Sequence, residues 1–385
     1  MKWNWQQHDW PEFRWDANRL IEAEREFLIS GGMLLGAVKH LSLDDKNHIA
    51  IEAMSIEAIT TSEIEGEILD RASVQSSIKR QFGFAANQPH FRPRERGIAE
   101  LMVDLYRTWN SPLDENILYA WHRMVMTGSR GVPNVGAYRT GNEPMQVISG
   151  SQMKPKVHFE APPSDRVPIE MARFVDWFNR TAPDGPHPLP ALARSGMAHL
   201  YFESIHPFED GNGRLGRAVA EKALAQSLGQ PTLTSLGATI LHRRKDYYAA
   251  LEVPSTRNEI TEWLAWFAGV AIEAGRHTNA LAEFLIDKTR YFDRLRGEIN
   301  ERQEKALLRV FEEGPAGFQG GLSAGRYASV TGASAATATR DLADLVAKAA
   351  LTRTGEHKHA RYHLTMPLRT VKTAIVNDNG ELFEQ

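Results

Sequence analysis

Residues 206–217, His-Pro-Phe-Glu-Asp-Gly-Asn-Gly-Arg-Leu-Gly-Arg, oblige the chain to stop one helix, turn tightly and start another. The run from Ala191 to Ser204 is helix-forming, and Pro207 cannot continue it. Gly211 and Gly213 permit a tight turn and let backbone N–H groups approach a bound group with no Cβ in the way. Arg214 to Leu228 reads as the next helix, and the unpaired amides and dipole at its start favour an anion. Into the same stretch the chain packs an imidazole (His206), a carboxylate (Asp210) and two guanidinium groups (Arg214, Arg217). Such a set is suited to holding a polyphosphate beside a metal ion while a nucleophile loses its proton.

Two other phosphate-binding readings fail on context. Gly211-Asn-Gly213-Arg-Leu-Gly216 satisfies G-x-G-x-x-G. The dinucleotide fold needs a buried strand before that pattern and an acid roughly 20 residues after it. Here a helical run precedes it, and residues 231–240 contain no acid. No G-x-x-x-x-G-K-[ST] occurs in the chain.

His206 to Arg217 resembles the signature of the Fic family, His-Pro-Phe-x-(Asp/Glu)-Gly-Asn-Gly-Arg-x-x-Arg, at every fixed position. The resemblance implies an enzyme, a nucleotidyltransferase that moves AMP from ATP onto a Ser, Thr or Tyr hydroxyl of a target protein. It implies His206 as the general base and Asp210 as the residue holding Mg²⁺ on the phosphates. The Gly211–Gly213 amides with the Asn212 side chain would form the anion hole. Arg214 would steady the β/γ end and Arg217 the γ-phosphate, with Leu215 and Gly216 inside the same stretch and Phe208 as its buried anchor. The chemistry suits those roles: imidazole titrates near neutrality, and phosphate transfer relies on positioning and charge neutralisation. Relatives that phosphorylate their target carry Lys where this chain has Gly213, which favours AMP transfer here. Another nucleotide or phosphocholine stays open, because the motif reads phosphates and not the base.

Thr61-Ser-Glu-Ile-Glu65-Gly66 follows a helical run, Asp44 to Thr60, with Ile49, Ala53, Ile56 and Ile59 on one face. It is similar to the inhibitory (Ser/Thr)-x-x-x-Glu-(Gly/Asn) element of self-inhibited Fic proteins. That likeness implies that Glu65 pairs with Arg217 in the γ-phosphate's place, with Thr61 and Gly66 framing it. A carboxylate offers a guanidinium the same bidentate partner that a phosphate does. In some relatives the same glutamate also orients a water that removes AMP. Gly136-Ala-Tyr-Arg139 precedes two β-prone runs, Met145 to Phe159, around a Gly150-Ser151 turn. This resembles the flap over a Fic site, with Met145, Val147 and Ile148 on an edge that can pair with an extended target segment. Tyr247-Tyr248 resembles the family's paired tyrosines. Tyr248 would line the adenine pocket, with core packing of both as the alternative.

The resemblances and the helical patterning together give a mainly α chain: a helical core with a β-hairpin flap, a helical N-terminal domain and a C-terminal winged-helix domain. The expected divisions are 1–95, 96–275, a connecting helix at 276–300, 301–366, and a tail at 367–385. Trp3, Trp5, Trp10 and Trp15 are expected as core or docking anchors. Residues 301–366 resemble a winged helix-turn-helix. Thr337, Thr339 and Arg340 are placed for bases, and Arg353, Lys358 and Arg361 for phosphates. Asp341 and Asp344 on the same helix oppose DNA, so a protein partner or a second copy of the chain stays open. His357, His359 and His363 read as a solvated wing rather than a zinc site, since no fourth ligand is in view.

Zero cysteines exclude disulfides, thiolate metal sites and a cysteine nucleophile. A net charge of −3 gives no global case for nucleic acid. The longest apolar stretch, 263–272, is far short of the roughly 20 residues a membrane helix needs. With no apolar leader at its start, the chain is expected in the cytoplasm. A second functional reading is a DNA-binding regulator whose core senses a nucleotide.

Overall fold

Ser42, Asp70 and Asp114 each accept a hydrogen bond from the backbone N–H three residues on, and each opens a helix. Such caps satisfy donors that have no partner within the helix. In chain order the helices are α1 (Ile21–Lys39), α2 (Leu43–Ile64), α3 (Arg71–Gln81), α4 (Pro93–Thr108) and α5 (Glu115–Val125). The antiparallel hairpin β1 (Gln146–Ser151) and β2 (Lys154–Glu160) follows, with Val147 opposite Phe159 and a register shift between Val147 and Ile148. Then come α6 (Val167–Arg180), α7 (Ala191–Ile205), α8 (Asn212–Leu228), α9 (Leu236–His242), α10 (Arg244–Glu252) and α11 (Thr261–Arg294). This computed structural model describes residues 2–39, 41–84, 92–151, 154–231, 234–312, 314–315, 317 and 320–385. It comprises two compact units, Met1–Thr278 with Lys372–Gln385, and Asn279–Val371.

Helix α7 lies at the centre of the first unit. Apart from Glu203, every residue from Ala191 to Ile205 is buried, so the helix serves two cores at once. One face packs with α2 to α6 and α8 through Tyr201, Phe202 and Ile205. The other packs with α1 and α11 through Leu192, Met197 and Leu200. Buried cations fasten helix ends to this centre. Arg194 donates to the Phe178 carbonyl (2.9 Å), the Ala223 carbonyl (3.2 Å) and Gln226 Oε1 (2.7 Å). Lys222 donates to the Thr108 carbonyl at 2.6 Å. Late-turn carbonyls lack partners within their own helices, and buried cations satisfy them.

The N-terminal tryptophans are anchors. Trp3 stacks edge-on against Phe159, Trp5 Nε1 donates to the Glu160 carbonyl (2.7 Å), and Trp10 Nε1 donates to Glu170 (2.9 Å). The expected boundary at 95/96 falls inside α4, and residues on both sides of it share one core. Helix α2 runs four residues beyond Thr60 and ends at Glu65. Strand β1 continues through Gly150 and Ser151, which are therefore not the turn; the connection at 152–153 lies outside the described residues.

In the second unit, α12 (Glu301–Phe311), α13 (Ala324–Thr331) and α14 (Ala335–Ala347) surround a core of Leu307, Tyr327, Leu342 and Leu345. The antiparallel pair β3 (Leu351–Thr354) and β4 (Arg361–Leu364) closes it, and Leu322 bridges to Tyr362. Asp341 turns inward, accepting from Tyr327 Oη (2.9 Å) and Arg302 Nε (3.1 Å), and Asp344 pairs with Lys348. Both acids are thus paired within the unit. Thr339, Arg340 and Arg353 are exposed; the side chain of Lys358 lies outside the described residues. His357 and His359 sit in a 3-10 turn and only His363 is on a strand. Among the described residues no group of three His or acidic side chains is arranged to hold a metal. The stretch expected as a tail contains the hairpin β5 (Ala374–Val376) and β6 (Leu382–Glu384), whose Ala374 and Val376 are buried in the first unit.

Candidate active site

The loop joining α7 to α8 is locked by its own side chains. Pro207 bars a right-handed helical conformation at His206, which takes φ 50° and ψ 60°. The Asn212 side chain accepts from the Phe208 N–H (3.0 Å) and donates to the Phe208 carbonyl (2.8 Å). The Asn212 side chain, expected in an anion hole, is buried and tied to the loop by these two bonds. Phe208 is fully buried, its ring stacked on His122 at 4.1 Å. Gly211, at φ 83°, supplies the left-handed step into α8, and Met126 and Val125 crowd the place a Cβ would take. Leu215 is wholly buried in the core, so only its backbone faces the loop. Gly216 turns toward α7, where a Cβ would stand 2.5 Å from Glu203 Oε1. Neither residue offers a phosphate a side chain.

Arg139 holds the loop from outside, through a role that the sequence alone did not disclose. Its Nε donates to the His206 carbonyl (2.8 Å), and its Nη2 to the Pro162 carbonyl (2.5 Å) and the Ile205 carbonyl (3.3 Å). One guanidinium therefore ties the end of α7 to the chain leaving β2. His122, also missed, accepts at Nδ1 from the Gly136 N–H (2.9 Å), which leaves Nε2–H to donate to the Asp210 carbonyl (3.2 Å). Burial pulls His122 down to about 4 and keeps it neutral, as this tautomer requires.

His206 is held down to about 4 as well, first by burial and then by the charge of Arg139. At neutral pH it is a free base. Asp210 is 58% exposed, with one oxygen on the Gly211 N–H (2.6 Å). A hard, solvent-facing carboxylate oxygen beside a phosphate cradle suits Mg²⁺, which favours one or two carboxylates plus phosphate oxygens.

Arg217 is buried, and its partners come from α2. Its Nε donates to Thr61 Oγ1 (2.7 Å), and its Nη2 to the Thr61 carbonyl (2.8 Å) and Glu65 Oε1 (2.8 Å). Burial opposes the charge on Glu65; Arg217, helped by Arg214, outweighs it and holds the carboxyl below its usual range. Glu65 Oε1 would collide with a Cβ on Gly213, so only glycine admits it at the start of α8. Gly66, at φ 83°, ends that segment. A second carboxylate follows: Glu67 accepts from Arg214 Nη1 at 2.6 Å and lies 3.5 Å from Arg94. The sequence signal for Glu67 was its place two residues after Glu65. Tyr247 is buried with its hydroxyl on His199 Nε2 (2.9 Å), whereas Tyr248 is 46% exposed, which corrects core packing for the second ring. Met145 pairs with Ala161 at the hairpin's base, and Val147 and Ile148 are exposed along β1.

This geometry joins a neutral imidazole, a carboxylate and a glycine-lined helix start carrying two arginines. Residues 112–224 match the Fic/DOC family. That segment is similar to a Fic/DOC domain. Residues 3–84, which include α1 and α2, match a domain of unknown function, DUF4172. Protein adenylyltransferase fic-1 of Caenorhabditis briggsae is 31% identical over 84 residues, 22% of this chain and 15% of its own length. Protein adenylyltransferase Fic of Culex quinquefasciatus is 35% identical over 96 residues, 25% of this chain and 17% of its own length. The chain thus spans less than a fifth of either relative. A Fic family protein from Desulfovibrio desulfuricans G20 shares the fold, with a TM-score of 0.50 at 24% identity over 89% of this chain and 96% of that one. The matched segment accordingly lies on a mainly helical scaffold, with the α7–α8 loop inside it.

Proposed function

We propose that this chain is a self-inhibited protein adenylyltransferase that moves AMP from Mg-ATP to a hydroxyl side chain of a target protein. The observation that carries the reading is the neutral His206 beside the start of α8, where Arg214 and Arg217 converge. The target oxygen bonds to the α-phosphorus, the bond from that phosphorus to the β-bridging oxygen breaks, and pyrophosphate leaves. His206 takes the hydroxyl proton. The first amides of α8 receive phosphate oxygens, and Arg214 and Arg217 neutralise the β and γ groups. Asp210 would hold Mg²⁺ beside the phosphates, and the ion would supply further charge neutralisation when bound. The exposed edge of β1, with Val147 and Ile148, receives an extended segment of the target.

Glu65 is the brake in this reading, because its carboxylate takes the guanidinium that a γ-phosphate needs. The same carboxylate is suited to orienting a water for AMP removal once the product is bound. The deciding experiment incubates wild type, Glu65→Gly and Glu65→Gly/His206→Ala with Mg²⁺ and α-phosphate-labelled ATP, read by intact mass. Label on Glu65→Gly alone supports the chemistry, the base and the brake together; label on none removes the transferase reading.

A second reading concerns residues 301–366. Their order of helix, bridge, helix, turn, helix and hairpin, with Thr339, Arg340 and Arg353 exposed, suits a winged helix that meets DNA. Sequence-specific DNA binding that His206→Ala leaves unchanged would favour a regulatory protein. Among the described residues no helix is long and apolar enough to cross a membrane.

A further inference from the structure

Glu203 sits one turn before His206 on α7, outside the signature. Its Oε2 lies 3.8 Å from His206 Nδ1, and that nitrogen is buried without a hydrogen-bond partner. Glu203 Oε1 is likewise buried and unpartnered. Gly216 on α8 makes room for the carboxyl, since a Cβ there would stand 2.5 Å from Oε1 and 3.2 Å from His199 Nδ1. Unpaired polar atoms of this kind are costly, and in native proteins they mark a strained or catalytic role. Hydrogen bonds between catalytic groups are often long before substrate arrives.

We propose that Glu203 is a positioning residue for His206, its carboxylate accepting from Nδ1–H and so fixing the tautomer whose Nε2 lone pair takes the hydroxyl proton. The inference rests on reading His206 as the base. The proton moves from the target hydroxyl to Nε2, and Glu203 steadies the resulting imidazolium without becoming protonated itself.

The charged and titratable groups around this carboxyl are Glu65 from α2, Arg217 from α8, His199 and His206 from α7, and Tyr247 from α10. Burial pushes Glu203 up to about 8; the negative charge of Glu65 adds to this and Arg217 opposes it. A protonated carboxyl would donate to Nδ1 and select the opposite tautomer, so the accepting arrangement belongs to the ionised form of Glu203. The accepting form appears as pH rises through 8. Loss of the Glu65 charge brings that transition to lower pH, so brake and base are linked through one carboxylate.

The test uses the full chain. NMR of ¹⁵N-labelled histidines, without nucleotide, reads the His206 tautomer, assigned by the signal lost in His206→Ala. Wild type should gain the Nδ1–H tautomer as pH rises through 8, Glu65→Gly should gain it at lower pH, and Glu203→Gln should not show that rise. In the Glu65→Gly background, Glu203→Gln should lower kcat for self-labelling about tenfold, leave KM for Mg-ATP within about twofold, and abolish the alkaline rise in rate. Gly216→Ala, which pushes the carboxyl aside, should reproduce the loss. A His206 tautomer that titrates identically in Glu203→Gln, or a kcat loss equal at every pH, overturns the proposal. If Glu65→Gly carries no label at any pH, the transferase reading falls, and the tautomer measurement still decides the role of Glu203.

Discussion

Arg217 and Arg214, the two cations of the candidate site, are each held by a glutamate from the same short segment, Glu65 and Glu67. Both guanidiniums are buried. Stripping the partner from a buried charge costs about 3–5 kcal/mol. Glu65→Gly should therefore melt at lower temperature than wild type without nucleotide, and Mg-ATP should raise its melting temperature more than it raises that of wild type. A thermal-shift titration reads both effects; equal ATP stabilisation of the two proteins would separate Glu65 from the nucleotide site. Adding His206→Ala should cut labelling by about 10²–10⁴ while leaving the ATP shift in place. Glu67→Gln should tighten ATP about fivefold, close to 1 kcal/mol, measured by calorimetry. Unchanged affinity would limit Glu67 to bridging Arg94 and Arg214. The two substitutions share one charge network, so their effects should not add.

The turn between α7 and α8 was legible in the sequence, because Pro207 and Gly211 are local signals that act through φ and ψ alone. The flap's strands were legible from β-propensity, while its turn was misplaced, since Gly150 and Ser151 continue the ladder to Ser151 opposite Lys154. What stayed hidden depends on distant segments meeting. Glu67 and Arg214 are 147 positions apart, and Arg139 reaches the His206 carbonyl across 67. Spacing carries no record of such contacts. The Asn212 side chain also bonds to Phe208, four residues away, a local contact that the motif alone did not reveal. Arg139 gives a prediction at this scale, because its guanidinium joins the loop to the base of the hairpin. Arg139→Gln should lower kcat about tenfold or more with little change in ATP affinity, since misplacing a catalytic group acts on rate. Ile148→Asp on the edge of β1 should depress labelling of a target protein and spare ATP binding. Loss of ATP affinity in Ile148→Asp would place that strand in the nucleotide site instead.

Across the first unit, burial sets opposing pH dependences. His122, His199 and His206 are each held down to about 4 by burial, from 6.5, so their contribution to stability is present above 6.5 and lost as pH falls toward 4. Glu57 is pushed up to about 7 and Glu203 to about 8 by burial, from 4.5, so theirs is present below 4.5 and lost as pH rises. Of these five groups only the glutamates titrate above 6.5, and their share of the stability should fall between pH 6.5 and 8. Glu57→Gln should flatten that fall and match wild type near pH 4.5, measured by urea unfolding across the range; a fall just as steep in Glu57→Gln would reassign it. The second unit, Asn279–Val371, interrupts the first in chain order, and Ala374 and Val376 beyond it are buried among α7 and α11 residues. A ribosome making this protein must therefore release the whole of the second unit before the first can seal its own core. During that interval the nascent first unit carries an open apolar seam, and chaperones have a defined window in which to bind it.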